Sequence, residues 1–346
     1  MRPISRTVTA MTLNETTEEV PAEKVDQPQR VAAVVYNPTK VDIKKLKKSV
    51  KTHAESAGWG KTLWFETDPD DFGLAAALLA VEQGADVVMA AGGDGTVRAV
   101  AQGLRGTGIP IGLLPQGTGN LLARNLELTI TDLDESLASA FGEADRKIDL
   151  GIVEITRESG DKEEHAFLVM AGLGLDAKMM ANTNPKLKKA VGWLAYVDGG
   201  IRSLPEIKPI KLKYSIDGSE PKRSDAHTIL VGNCGKLPGG ILVMPDAEPD
   251  DGTLDVVVLR PRGPFGWARV WNKIAWENGV LRKSAIGRKI VDLSRDVKDV
   301  RSFRAKDLSL NVDEPQLIEL DGDPFGEAAF VRVWVDPGAL TVKIPA

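Results

Sequence analysis

The 346-residue chain is predicted to join an α/β N-terminal domain, a parallel sheet flanked by helices, to a mostly antiparallel β-sandwich C-terminal domain. Three observations carry this. Apolar runs alternate with amphipathic stretches from Val31 to Asn125, as strand–helix units of a parallel sheet do. After Asp149-Leu150-Gly151 the pattern becomes short strand-like runs divided by Gly, Pro and Asp. The length suits two cores rather than one. The domains are therefore expected at 30–150 and 151–346, with the final residues packing back on the first. Residues 1–29 read as a disordered leader: Thr, Glu, Pro and Gln dominate, and no apolar stretch after Arg2 and Arg6 makes a secretory signal.

Each element has its own reason. Val31–Tyr36 is an apolar run ended by Asn37-Pro38, as a buried parallel strand would be. Residues 42–57 follow as a helix, with Ile43, Leu46 and Val50 at helical spacing among Lys44, Lys45, Lys47, Lys48 and Lys51; the lysines read as a solvated face, with an anion site as the alternative. Lys61–Phe65 is a second strand, closed by Thr67. Asp70 or Asp71 caps a helix at 72–83 that stops at Gly84. Asp86–Ala91 is a third strand, running into Gly92-Gly93-Asp94-Gly95-Thr96 and a helix from Thr96 to Leu104. Ile109–Leu114 is a fourth, feeding Pro115-Gln116-Gly117-Thr118-Gly119-Asn120 and then 121–125. Beyond Gly151, strands are expected at 152–156, 166–171, 210–216, 228–231, 254–259, 308–312 and 329–335, with helices near 176–203 and 264–283.

Composition narrows the function. With 44 Lys and Arg against 49 Asp and Glu the net charge is -5, which excludes a globally basic nucleic-acid binder. Cys234 is the single cysteine, so neither an internal disulfide nor a cysteine-based metal site can form. His53, His165 and His227 are scattered, against zinc. No apolar run reaches the ~18 residues that a membrane span needs. A soluble, cytoplasmic protein is expected. Glycine is 34 of 346, about 10% against a usual ~7%, which directs attention to tight turns and close backbone approaches.

Two glycine-rich loops stand at the carboxyl ends of successive strands, where open parallel sheets bind ligands. Gly92, Gly93 and Gly95 would let backbone approach a polyphosphate, and the following helix would offer free N–H groups to it. Thr96 adds a hydroxyl and Asp94 a carboxylate. Gly117, Thr118, Gly119 and Asn120 repeat the design. Plain strand–helix turns also favour these residues, but two adjacent copies favour nucleotide phosphate. The P-loop pattern and Gly-x-Gly-x-x-Gly after the first strand are both absent.

The run Ala91–Thr96 followed by Pro115–Asn120 resembles the diacylglycerol kinase catalytic domain family, and within it the soluble bacterial lipid kinases, similar in turn to sphingosine and ceramide kinases. Asp149–Gly151, Ala171–Asp176, Gly239-Gly240 with Pro245, Ala247 and Asp251–Asp255, and Leu320–Asp323 extend the resemblance over about residues 31–344. It implies ATP held between the domains by Gly92, Gly93, Asp94, Gly95, Thr96 and Val97, by Gly117, Thr118 and Asn120, and by Thr67, with Asn37 a weaker candidate. It implies Mg²⁺ and a phosphoryl acceptor that is a lipid hydroxyl, diacylglycerol being the leading case. Asp321 and Asp323 flank Gly322, either on one face of a strand or in a turn. The family carries Glu as proton acceptor where this chain has Asp323. The arm is one methylene shorter, so Asp323 reaches differently or Asp321 shares the role. Asp94 joins them as a candidate catalytic residue. The resemblance also implies a structural divalent ion held by Asp251 and by carbonyls of Glu248 and Thr253; a plain turn is the alternative. Gly-Gly-Asp-Gly-Thr alone is shared with NAD kinases, so a soluble-substrate kinase is the second reading and an inactive nucleotide-binding protein the third.

A lipid kinase must meet a membrane without spanning it. Residues 260–306 hold 13 Lys and Arg against Glu277, Asp292, Asp296 and Asp299, together with Trp267, Trp271 and Trp276. Basic residues beside interfacial aromatics suit an anionic bilayer surface. A smaller group is Lys186, Lys188, Lys189, Trp193 and Tyr196. The alternative is an ordinary helix with a wet basic face. Peripheral contact with the inner face of the membrane through 260–306 is the expected partner surface, nucleic acid is not, and the oligomeric state, monomer or homodimer, is left open.

Overall fold

The structure, a computed structural model, describes residues 29–174, 209–237, 241–262 and 299–346, with positions 266 and 270. The leader up to residue 28, both helices expected near 176–203 and 264–283, Gly239-Gly240 and most of the basic 260–306 stretch lie outside the described residues.

The first half alternates as expected: β1 (Ala32–Tyr36), α1 (Ile43–Ser56), β2 (Thr62–Glu66), α2 (Leu74–Glu82), β3 (Val87–Gly92), α3 (Asp94–Leu104), β4 (Ile111–Pro115), α4 (Leu121–Asn125) and α5 (Leu133–Phe141). β1 pairs in parallel with β2 on one side and β3 on the other, and β3 pairs with β4. Chain order therefore reverses between β1 and β3, and the crevice beyond their carboxyl ends is where such sheets take ligands. Alternation places Ala33, Val35, Val88 and Ala90 against α2 and α3, while Ala32, Val34, Val87 and Met89 face α1 and α5. Both faces are buried, so these strands read as unbroken apolar runs.

Helix ends follow local chemistry, with two departures. Asp42 caps α1, its carboxylate accepting from the Lys44 and Lys45 N–H groups; the α1 lysines are exposed, Lys51 pairing with Glu55 at 3.7 Å. α2 starts at Leu74, because Phe72 and Gly73 take positive φ (57° and 109°); Asp71 reaches in from outside the helix to the N–H groups of Gly73 and Ala75. α3 starts at Asp94, two residues before the expected Thr96. Gly93 is its extended N-cap residue, so the glycine loop is itself the first turn of the helix.

The second half is β5 (Asp145–Thr156), β6 (Lys162–Phe167), β7 (Met170–Leu173), β8 (Ile210–Ile216), β9 (Lys222–Ala226), β10 (Thr228–Gly232), β11 (Lys236–Leu237), β12 (Ile241–Leu242), β13 (Leu254–Leu259), β14 (Val300–Ala305), β15 (Asp307–Leu320) and β16 (Asp323–Lys343). Every pairing among these strands is antiparallel. The sheet branches at β15, which pairs with β16, β7 and β8. The resulting sandwich encloses Val153, Ile155, Phe167, Leu173, Leu212, Val256, Leu310 and Val331. β5 runs straight through residues 150–151. β16 pairs with β15 and β5, and its end joins β4 in parallel, Val342 opposite Ile111. One strand thus belongs to both halves.

Candidate active site

The crevice at the ends of β1, β3 and β4 is assembled from close backbone approaches. A Cβ on Gly117 would lie 2.8 Å from Gly93 Cα, so the two glycine loops touch there. No side chain caps α3, which leaves the first-turn N–H groups at Asp94, Gly95 and Thr96 and the positive end of the helix dipole facing the crevice. Lys40 supplies the charge. Its Nζ stands 2.7 Å from where a Gly93 Cβ would be, and among the described residues no carboxylate pairs with it. Asn37 builds the turn that presents it: Oδ1 accepts from the Thr39 N–H and hydroxyl, and the carbonyl accepts from the Lys40 N–H. An uncapped helix start beneath an unpaired ammonium is an anion site.

The second loop does not repeat the first. Asp94 Oδ2 accepts from the Asn120 N–H at 3.0 Å and Oδ1 from the Leu121 N–H at 2.5 Å, so the carboxylate of one loop caps the helix of the other. Burial dominates its ionisation, with help from Asp321 and Asp323 against the two N–H groups, and pushes its pKa up to about 6. The Asn120 side chain is spent on Gly117, accepting from its N–H and donating to its carbonyl. Both residues therefore build the crevice, which corrects the expectation of free polar hands at Asn120 and of a reacting carboxylate at Asp94. Thr96 is buried and folded over Gly92. Thr67 is buried against Gly73, and Val97 is half-buried on α3. Thr118 is exposed at the loop tip.

Asp321 and Asp323 part company. Asp321 and Gly322 are the two loop residues of the β15–β16 hairpin, Leu320 opposite Asp323, with φ of 51° and 87°. Asp-Gly suits such a turn because both positions need positive φ. The turn sends Asp321 inward, where its carboxylate accepts from the N–H groups of Leu168, Val169 and Met170 at 2.8–3.0 Å. Burial still holds its pKa above the ordinary carboxylate range, against those three bonds and Arg98. With both oxygens occupied, Asp321 does not share a role with Asp323. Asp323 points the other way, 37% exposed, its Oδ2 lying 3.2 Å from Arg98 Nη2 and 2.8 Å from the place of a Gly95 Cβ. It is the carboxylate that overlooks the free N–H groups. Lys40 and Arg98 escaped the sequence reading. Lys40 could have been found from its place just after the first strand's end, and Arg98 from its spacing four residues after Asp94.

The acidic loop is a separate structure, and arginines pair with its carboxylates. Asp251 Oδ1 accepts from the Thr253 N–H and hydroxyl, and Oδ2 lies 3.3 Å from Arg304 Nη1. Arg304 also donates to the Asp246 carbonyl at 2.6 Å and approaches Asp255 Oδ1 at 3.5 Å. Asp250 is taken by Arg146 through Nε and Nη2. Arg304 thus holds the carboxylate expected, with the carbonyls of Glu248 and Thr253, to bind a divalent ion. Among the described residues no group of three His, Cys, Asp or Glu is arranged to hold one. Asp149 ties this loop to the rest, accepting from the Gly252 and Gly338 N–H groups at 2.7 Å each.

Residues 31–153 match the diacylglycerol kinase catalytic domain, and residues 168–344 the YegS C-terminal NAD kinase beta sandwich-like domain. A diacylglycerol kinase of Mycobacterium tuberculosis (strain ATCC 25618 / H37Rv) is 31% identical over 187 residues, 54% of this chain; the match spans 58% of that relative's length. A protein of Pseudomonas aeruginosa (strain UCBPP-PA14) named "Probable lipid kinase YegS-like" is 32% identical over 271 residues, covering 77% of this chain and 79% of its own. The crystal structure of a diacylglycerol kinase from Bacillus anthracis str. Sterne superposes with a TM-score of 0.67 over 92% of this chain and 97% of that one, at 21% identity, a likeness of fold. Both halves match in chain order, and the chain belongs to the family of diacylglycerol kinases and YegS-like lipid kinases.

Proposed function

We propose that the protein transfers the γ-phosphoryl group of ATP to the hydroxyl of a membrane lipid, diacylglycerol giving phosphatidic acid as the leading case. The observation that carries this is the convergence of the free α3 N-terminus, Lys40 and Asp323 on one crevice. The N–H groups of Asp94, Gly95 and Thr96 and the Lys40 ammonium bind and neutralise the phosphates. Touching at Gly93 and Gly117, and pinned together by Asp94, the loops hold the triphosphate in line for attack. Asp323 orients the acceptor hydroxyl and takes its proton as the oxygen–phosphorus bond forms and the bond to the β-phosphate oxygen breaks. Mg²⁺ bound to the nucleotide supplies further neutralisation of the phosphate charge.

A lipid acceptor implies work at a membrane surface. No helix among the described residues is long and apolar enough to cross one, so contact through the basic, tryptophan-bearing 260–306 stretch is the mode proposed. The test is incubation with labelled ATP and a total lipid extract, with NAD assayed alongside. Label in phosphatidic acid is the expected result. Label in NADP, or in no lipid at all, overturns the reading.

A further inference from the structure

We propose that Arg98 is the positioning residue for Asp323: a buried guanidinium, fixed by two aromatic rings, holds the carboxylate above the first turn of α3. The proposal rests on the phosphoryl-transfer reading of the crevice. The pair is asymmetric. The Arg98 side chain is 4% exposed and that of Asp323 37%, so the cation is sealed in while the anion faces the opening. The guanidinium carbon stands 4.5 Å from the Phe325 ring centroid and 5.9 Å from that of Phe72, and buried Nε has no hydrogen-bond partner among the described residues. A stabilising staple would use the fork of the guanidinium on both carboxylate oxygens. Here a single 3.2 Å contact reaches Oδ2, and among the described residues Oδ1 has no partner.

The surroundings fit a carboxylate held for use. Phe325 lies two residues beyond Asp323 on β16, so ring and carboxylate share a face of the strand. Gly95 gives clearance, since a Cβ there would lie 2.8 Å from Asp323 Oδ2 and 3.4 Å from the Phe72 ring. A glutamate at 323 would have one more methylene with which to reach the crevice. The short arm of aspartate must be drawn over by charge, and a cation on α3 does this while leaving Oδ1 to meet the acceptor hydroxyl. Burying an arginine whose ion-pair partner is partly exposed costs stability, which the aromatic faces and the nearby Asp321 carboxylate offset in part.

Steady-state kinetics of the full chain on diacylglycerol vesicles tests this. R98Q is expected to lower kcat about 30-fold or more while KM for ATP changes less than about threefold. In the D323N background R98Q should cost less than about threefold further, because the group that it positions is gone. D323E placed in R98Q should regain at least about fivefold in kcat, a rescue that a packing role for Arg98 would not give. R98K, which keeps a cation among the rings, and thermal unfolding of each variant separate misfolding from mispositioning. Multiplying effects of R98Q and D323N overturn the proposal, as does a raised KM for ATP with kcat kept, which would make Arg98 a phosphate ligand. A wild type that phosphorylates no lipid overturns the reading of the crevice and Arg98's role with it; an active wild type with multiplying effects overturns Arg98 alone.

Discussion

The glycine loop after β3 and the acidic loop before β13 look alike as sequence: each is rich in Gly and Asp, ends in Thr and suggests a ligand. They differ in what answers their polar groups. Around the acidic loop, Arg146 takes Asp250, Arg304 and Thr253 take Asp251, and Asp149 takes the Gly252 N–H. Around the glycine loop, among the described residues, the α3 N-terminus has no side-chain cap and Lys40 no carboxylate. A polar loop whose groups are all answered from within is finished; one that aims groups into a crevice and leaves them unpaired awaits a ligand. The carboxylates repeat the lesson, Asp94 and Asp321 occupied by backbone N–H groups, Asp323 half-exposed and held by Arg98 through Oδ2.

Substituting one glycine in each loop should break the comparison if it is wrong. In G95A the new methyl would lie 2.8 Å from Asp323 Oδ2, and phosphoryl transfer is expected to fall ~10²-fold, as loss of a placed proton acceptor does. In G252A the methyl meets open space, and the positive φ of 73° should cost about 1 kcal/mol of stability with kcat intact. Equal losses of activity would erase the distinction. Asp94 sharpens it through pH. Its folded pKa of about 6 is raised above the unfolded value, so its contribution to stability is full below the unfolded pKa and is lost as pH rises through 6. The stability of wild type relative to D94N should therefore fall by ~2–3 kcal/mol between pH 4 and 7, read from urea midpoints; a flat difference would count against the burial of this carboxylate.

Removing one cation from each loop is a gentler probe. K40M should raise KM for ATP ~10-fold, the loss of one charge-assisted contact, with unfolding unchanged because the ammonium has no carboxylate partner among the described residues. R304M should do the reverse, leaving KM alone and lowering stability by ~1 kcal/mol or less. A chelator should leave the melting temperature where it was, since a guanidinium closes the acidic loop. The smallest effect belongs to Cys234. Burial pushes its thiol far above the usual range, so a thiol reagent should label it only after unfolding.

The parallel half was legible because both of its faces are buried, which writes β1, β3 and β4 as uninterrupted apolar runs. β6, β9 and β14 were not. Among the described residues each pairs on one side only, and strands such as Lys162–Phe167 and Lys222–Ala226 carry the charges that discourage edge pairing and also hide the strand pattern. α5 did leave a signal, Asp132 followed by Glu135, and the structure uses it: Asp132 accepts from the Asp134 and Glu135 N–H groups. At the site, sequence gave the loops but not the direction of each carboxylate. Asp-Gly at 321–322 carried the hairpin turn that sends two aspartates two residues apart to opposite environments, and an alternation argument for strands misses it.

The strand shared by both halves has a consequence for the order of assembly. Ile111, paired with Val88 on one side, gains its second partner from Val342, 231 positions later, and Arg105 adds Asp336 to its ion pair with Glu164. As the chain is synthesised, the outer edge of β4 stays uncovered until β16 arrives, an aggregation hazard carried through most of translation. Contacts of such long sequence separation also make closure slow. A nascent nucleotide-binding half, with all its glycine loops already made, is thus left waiting for the last strand to shield it.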